Sequence, residues 1–253
     1  MTAVLSVDLA CKRYSDIGVM LLEHRRGAIY ATRVLPFRGD DCPTPVAVAE
    51  ALADCADRAG AALIMLDGSQ AWKSSSNGLK YARKCEAELA TQGKTGLPGQ
   101  CTPLTYLRFL QFSISVFDDL AARGWARLLS TNESQQAEKL VLESFPTSAW
   151  RTLGLKPLPG KRSATHSIIR RKQAELESFF HFRVGIPLTH DELQALVAGF
   201  AGLAFAESRQ DNYRCFGGPP TLEDGTWREG FIVNPVKEVQ GQVRNESRTA
   251  RRQ

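Results

Sequence analysis

Runs of apolar residues divide the first third of the chain into three short strands, a helix and a fourth strand. The first three runs cover residues 3–9, 16–23 and 27–35, and the short connections between them favour antiparallel neighbours. Pro45 then opens a stretch with apolar positions at helical spacing, which Gly60 ends. The continuous apolar run at 61–66 predicts a buried strand, parallel to an earlier one.

The remainder of the chain alternates helical patterns with polar loops and one further strand. Thr189 and Glu192 form a capping box that opens the last helix, and Asp224-Gly225 is a hairpin signal between two possible strands. The polar segment 69–78 predicts a loop, and the glycine-rich segment 93–103 predicts a loop over the surface. The other predicted elements are helices at 79–90, 104–123, 146–154 and 163–180 and a strand at 139–143.

This order of elements predicts an α/β fold with a ribonuclease-H-like mixed sheet. Three antiparallel strands are followed by parallel strands, with flanking helices and inserted loops, and the first and fourth strands lie side by side and parallel. We expect one domain at 1–236 with an insertion near 69–125, and a basic, polar, mobile tail at 237–253. No apolar run reaches the ~18 residues of a membrane span, and Asp8, Lys12 and Arg13 disfavour a signal peptide. We therefore expect no membrane association and a cytoplasmic location.

The composition excludes several classes of protein. Of the 253 residues, 43% are hydrophobic and 23% charged, which is not the mixture of a disordered, collagenous or coiled-coil chain. The six cysteines form no CxxC pair and the four histidines are not at zinc-ligand spacing, so we expect reduced, mostly buried cysteines and no zinc site. Dinucleotide-binding, Walker A and nucleophile-elbow motifs are absent from the sequence.

The formal net charge of +5 is unevenly distributed. Basic residues concentrate at 151–183 and again after Val236. Such clusters attract phosphate polymers, so nucleic acid is a candidate partner. The alternative is a solvated helix face followed by a loose tail.

Four acids stand where a sheet would bring them together. Asp8, Asp67 and Glu143 close apolar strands, and Asp191 lies in the first turn of the last helix. The ends of adjacent parallel strands lie ~4.8 Å apart at the edge where α/β sheets bind ligands, so two carboxylates there can share a cation. A pair of magnesium ions ~3.5–4 Å apart can promote phosphodiester cleavage. The alternative is that each acid simply marks a chain emerging into water, or a helix N-terminus.

The last helix offers two further signals. Asp191 shares a face with Ala195, Ala198 and Gly202, and these small residues predict that its first turn approaches the sheet closely. His190 lies beside Asp191 and could assist proton transfer, although solvent exposure near a helix cap is the simpler interpretation.

Several segments together resemble a known family. They include Val7-Asp8, Leu66-Asp67, the stretch from Glu143-Ser144-Phe145-Pro146 to Pro157-Leu158-Pro159-Gly160-Lys161, the helix start Asp191-Glu192-Leu193-Gln194, and Gly225-Thr226-Trp227-Arg228-Glu229-Gly230. Spanning most of residues 3–235, they resemble the uncharacterised family called domain of unknown function 429. That family is described as predicted nucleases of ribonuclease-H-like fold, a description itself inferred from fold.

The resemblance implies an acidic set of Asp8, Asp67, Glu143 and Asp191, and it matches Arg83 and Lys161 to basic positions. We accordingly predict a metal-dependent nuclease whose catalytic residues are Asp8, Asp67, Glu143 and Asp191, with Mg²⁺ or Mn²⁺ held by Asp8, Asp67 and Asp191. The residues predicted to bind phosphate are Lys12, Arg13, Arg83, Lys161 and Arg162. The alternatives are a non-catalytic module that binds nucleic acid or protein, and a small-molecule phosphoryl-transfer enzyme. The choice between DNA and RNA and the oligomeric state stay open.

Overall fold

One mixed sheet organises the chain in a computed structural model that describes residues 1–37, 39, 41–91, 94–131 and 138–237. Its strands are β1 (Thr2–Asp8), β2 (Gly18–Arg25), β3 (Ala28–Arg33), β4 (Leu63–Asp67), β5 (Ala126–Arg127), β6 (Leu140–Ser144), β7 (Phe182–Val184), β8 (Tyr213–Glu223) and β9 (Thr226–Pro235). Among the described residues they follow the order β7-β3-β2-β1-β4-β6-β9-β8, with β5 beside β6.

The topology is the ribonuclease-H-like arrangement that the sequence predicts. β1, β2 and β3 pair antiparallel, and β4 lies parallel to β1 on its other side. β6 continues the parallel part, and β8 and β9 form the predicted hairpin at the far edge. The predicted adjacency of the first and fourth strands is confirmed.

The α-helices are α1 (Pro45–Ala59), α2 (Lys84–Glu88), α3 (Leu107–Ala122), α4 (Pro146–Thr152), α5 (His166–Phe180) and α6 (His190–Ala206). The ends of α1 follow its sequence, because Thr44 Oγ1 accepts from the N–H of Ala47 at 3.3 Å and Gly60 takes a left-handed conformation with φ 63°. The predicted capping box of Thr189 and Glu192 opens α6. In the described part of the chain, none of the helices combines the length and apolar character that crossing a bilayer requires.

The alternation of side chains in β1 divides the core between the two faces of the sheet. Val4 packs with α4, α5 and α6, and Leu5 and Val7 pack with α1 and α3. The core also contains Trp150 on the first side and Trp125 on the second. The covered faces leave the carboxyl ends of β1 and β4 as the edge where polar side chains collect.

Several element predictions need correction. Asp16 lies in a short 3-10 helix (Tyr14–Asp16) before β2, whereas the sequence placed it in the strand. The helix predicted at 79–90 is reduced to α2, because the buried carboxylate of Glu229 accepts from the backbone N–H groups of Ser74 and Lys84 and holds this segment as a loop. The predicted surface loop at 93–103 buries Thr95 and Cys101. The short strands β5 and β7 were not predicted.

All six cysteines are free in this structure, and the prediction that most of them are buried is confirmed, since four are. Of the predicted tail at 237–253, residues 238–253 lie outside the described residues, and its mobility stays a prediction.

Candidate metal and catalytic site

Asp8 and Asp67 meet at the ends of the two central parallel strands. They are register partners of β1 and β4, and their carboxyl groups share a hydrogen bond. Burial raises the pKa of Asp67 to about 7. Burial and then the charge of Asp67 raise the pKa of Asp8 well above its usual range. The pair therefore holds a shared proton near neutral pH when no cation offsets its charge.

Close packing of α6 on the sheet brings Asp191 to this pair. Gly18 is the register partner of Asp8 in β2, and a Cβ atom at Gly18 would lie 2.3 Å from the backbone carbonyl of Asp191. One turn further along α6, Ser6 Oγ donates to the carbonyl oxygen of Ala195 at 2.6 Å. The close approach predicted from the small residues of this helix is confirmed, and Asp191 also acts electrostatically to raise the pKa of Asp8.

His190 belongs to the same cluster, which corrects the interpretation that it is exposed to solvent. Its side chain is 12% exposed, since the turn containing Pro159 covers it. Asp8, His190 and Asp191 each place one possible metal-ligand atom, a carboxylate oxygen or a ring nitrogen, within 4.8 Å of the other two. The adjacency to Asp191 was the available sequence signal, but the covering segment is 31 residues away in the sequence and could not be foreseen.

The bonding of His190 tests whether these residues suit a cation. Nε2 lies 3.0 Å from the carbonyl oxygen of Pro159, which only accepts, so Nε2 carries the hydrogen. Nδ1 then faces Asp191 Oδ1 at 3.0 Å, and either a second proton or a cation must separate these two acceptors. Metal-binding histidines characteristically donate their other N–H to such a carbonyl. The residues therefore fit a divalent cation, with carboxylate oxygens that suit Mg²⁺ or Mn²⁺ and one imidazole nitrogen that suits a transition metal.

Lys161 supplies a positive charge at the same place. Its Nζ donates to Asp16 Oδ1 at 2.7 Å and to Asp191 Oδ2. The hydrogen bond lowers the pKa of Asp16, and the charge of Lys161 partly offsets the rise at Asp8. Burial acts to lower the pKa of Lys161, but the two carboxylates outweigh it and raise that pKa above its ordinary value.

The other predicted phosphate ligands on this side are exposed. Lys12, Arg13 and Arg162 all lie at the surface, and Arg13 Nε also pairs with Asp16 Oδ2 at 3.0 Å. Lys12 and Arg13 lie in the segment that follows β1, and Arg162 lies in the segment that precedes α5. Phosphate binding by these residues stays a prediction.

Glu143 and Arg83 form a separate, buried pair. Their side chains are 3% and 1% exposed, and the two Nη atoms of Arg83 donate to the Glu143 oxygens at 2.5 and 2.7 Å. The backbone N–H of Gln70 donates to Glu143 Oε2 at 2.9 Å. Glu143 is thus saturated by donors rather than grouped with Asp8, although its charge still raises the pKa of Asp67. A catalytic role for Glu143 and a phosphate-binding role for Arg83 stay predictions that this geometry does not favour.

A small cavity of about 40 Å³ lies between Asp67 and the buried pair. Lys94 and Tyr106 line its other side, with Lys94 Nζ 4.3 Å from the centre of the Tyr106 ring. The charge of Lys94 acts to lower the pKa of Asp67. Sequence reasoning did not single out Lys94, because it stands in a glycine-rich segment with no periodic pattern.

Comparisons with known proteins add little to this geometry. No family model matches the chain, and no curated protein matches it. Among solved structures, the chain is similar to one titled "Thermus thermophilus RuvC structure", with 11% sequence identity, a TM-score of 0.39, and coverage of 82% of this chain and 93% of that one. The fold assignment accordingly rests on the strand order and register themselves, and membership of the family named above stays a prediction.

Proposed function

We propose that this protein is a divalent-metal-dependent nuclease that hydrolyses phosphodiester bonds of nucleic acid. The observation that carries the proposal is the convergence of Asp8, Asp67, His190 and Asp191 at one sheet edge. Asp8, Asp67 and Asp191 would hold Mg²⁺ or Mn²⁺, with His190 beside them. Such a metal, when bound, supplies an activated water and stabilises charge on the leaving oxygen.

The protein's own groups prepare this chemistry. Asp8 and Asp67 give up their shared proton when their charge is offset, so both carboxylates become available as ligands near neutral pH. His190 is held in one orientation by Pro159, which fixes Nδ1 toward the acids. Lys161 is within reach of a phosphate at the cluster, because its Nζ already contacts Asp191.

The surface charge supports a polyanionic substrate. Lys161 contacts Asp191, and the exposed Lys12, Arg13 and Arg162 lie in the segments that follow β1 and contain Lys161. Each contact of this kind to a phosphate releases counterions, so binding would weaken as salt rises. This dependence separates a nuclease from an enzyme that acts on a small phosphorylated molecule.

The test is a cleavage assay on single- and double-stranded DNA and RNA with magnesium, manganese or EDTA. Wild type, Asp8→Asn and Asp67→Asn are compared with Asp54→Asn, an exposed acid on α1 that serves as the matched control. We expect metal-dependent cleavage that both site variants lose and the control retains. A folded wild-type protein that cleaves none of these substrates would refute the proposal in favour of a binding module or a small phosphorylated substrate.

A further inference from the structure

A groove of about 350 Å³ opens beside Asp191, and none of the roles described above uses it. Tyr14, Val34, Leu35 and Phe37 form its apolar wall, and Asp191 lines its inner end. The rings of Tyr14 and Phe37 stack with centroids 4.9 Å apart and planes 22° apart. Leu35 is 77% exposed at the rim. Its volume lies in the range of pockets that take a small organic group.

The groove is continuous with the carboxylate cluster. Tyr14 begins the 3-10 helix that ends at Asp16, and Lys161 bridges Asp16 to Asp191. A phosphate held at the cluster would thus lie next to an aromatic surface. The exposed Arg13 directly precedes Tyr14, so a basic side chain stands beside that surface.

Three polar residues that line the groove, Arg33, Thr189 and Glu192, are engaged with one another or with the backbone. Arg33 Nη2 donates to Glu192 Oε2 at 2.7 Å and to the carbonyl oxygen of Pro187 at 3.0 Å. Glu192 also accepts from the backbone N–H of Thr189 at 2.7 Å. The apolar wall therefore offers a stacking surface, and these three residues are not free to read a base edge. Aromatic stacking without such contacts tolerates any base.

We propose that this groove receives an unpaired nucleobase next to the phosphate held at the carboxylate cluster. The inference rests on the proposed nuclease function and deepens it, since it assigns the substrate class. A base can reach Tyr14 and Phe37 only when it is out of a duplex stack. The protein would therefore act on single-stranded or locally unpaired nucleic acid.

The test measures binding in the Asp8→Asn background, in which cleavage is blocked. Fluorescence anisotropy would follow a labelled oligothymidylate, the same oligomer with abasic sites, and its duplex with oligoadenylate. Tyr14→Leu and Phe37→Leu each remove one ring, and Tyr30→Leu on β3 is the matched control, because Tyr30 is also partly buried but does not line the groove. Thermal unfolding checks that every variant is folded.

We expect Tyr14→Leu and Phe37→Leu to weaken oligothymidylate binding by roughly 5- to 150-fold, the loss of one stacked base. Neither change should affect the abasic oligomer, and Tyr30→Leu should affect neither. The protein without groove substitutions should bind the single strand more tightly than the duplex.

Three results would overturn the inference. The first is unchanged oligothymidylate binding in both groove variants, and the second is tighter binding of the duplex than of the single strand. In both cases, metal-dependent cleavage in the earlier assay would leave the nuclease proposal intact. The third is loss of self-association in the groove variants with unchanged oligonucleotide affinity, which would make the groove a contact between protein copies. A protein that neither binds nor cleaves nucleic acid would refute the nuclease proposal itself and the inference with it.

Discussion

Replacing Arg83 with methionine would leave the Glu143 carboxylate in the core without its counter-ion. Both Nη donors to Glu143 would be lost, and the backbone N–H of Gln70 would remain. The long pairing of Arg83 Nη2 with Glu86 Oε1, 3.7 Å apart, would also disappear. The protein would then bury the Glu143 charge beside Asp67 without the cation that neutralises it.

The expected cost is about 3–5 kcal/mol, the usual penalty for breaking a buried ion pair by removing one partner. Adding Glu143→Gln removes the stranded charge and keeps an acceptor for the Gln70 N–H. Removing both charges of a buried pair is often neutral. The amide introduced at position 143 would bring an unsatisfied donor that costs about 1–3 kcal/mol. The double variant should therefore be more stable than Arg83→Met by about 2 kcal/mol.

Urea unfolding of the two variants and wild type would measure this difference, from midpoints compared at a constant dependence on denaturant. The matched surface control is Arg58→Met on α1, an arginine near the helix end with no carboxylate partner among the described residues. Stability of Arg83→Met equal to wild type, or a double variant no more stable than the single one, would refute the reasoning. If the folded double variant also loses stabilisation by magnesium, Glu143 joins the metal ligands, a role beyond the catalytic one that the sequence predicted for it.

Three further predictions concern the carboxylate cluster. Lys161→Met should tighten Mn²⁺ binding, measured by calorimetric titration, because Lys161 competes with the metal for Asp191. The same change should lower the salt dependence of nucleic-acid binding by about one charge. Weaker Mn²⁺ binding would contradict this prediction. Gly18→Ala should weaken Mn²⁺ binding, because the added Cβ would clash with the Asp191 backbone. Gly185→Ala places its Cβ in open space and should leave Mn²⁺ binding unchanged. Equal effects of the two substitutions would refute this prediction. In EDTA, unfolding stability should fall as pH rises from near 4 to about 7, because folded Asp67 keeps a proton that the unfolded chain, with an ordinary pKa of 3.8, has released. Asp67→Asn should flatten this slope, and a wild-type stability that rises across that window would contradict the assigned pKa.

Much of the candidate site follows from pattern within short segments. Asp8 and Asp67 could be paired in advance, because both end apolar strands that the predicted topology makes parallel neighbours. The position of Asp191 at the start of α6 followed from the capping box, and its approach to the sheet followed from the small residues on one helix face.

Other parts of the site depend on segments far apart in the chain. Arg83 and Glu143 are sixty residues apart, and neither segment indicates that its charge is buried or paired. The burial of His190 depends on the remote segment that contains Pro159. Asp16 lies in a 3-10 helix rather than in the predicted strand, and its side chain there binds Lys161.

Hydrophobic periodicity, caps and turns are local properties, so the chain's own pattern was enough to establish the α/β fold and to place acids at the strand ends. Long-range packing in the folded protein selected which of those acids act together. Asp191 reaches Asp8 because Gly18 leaves room for α6, and Glu143 is withdrawn because Arg83 neutralises it in the core. Charge interactions of this kind depend on distance and on exclusion of water, and both exist only after folding has brought remote segments together.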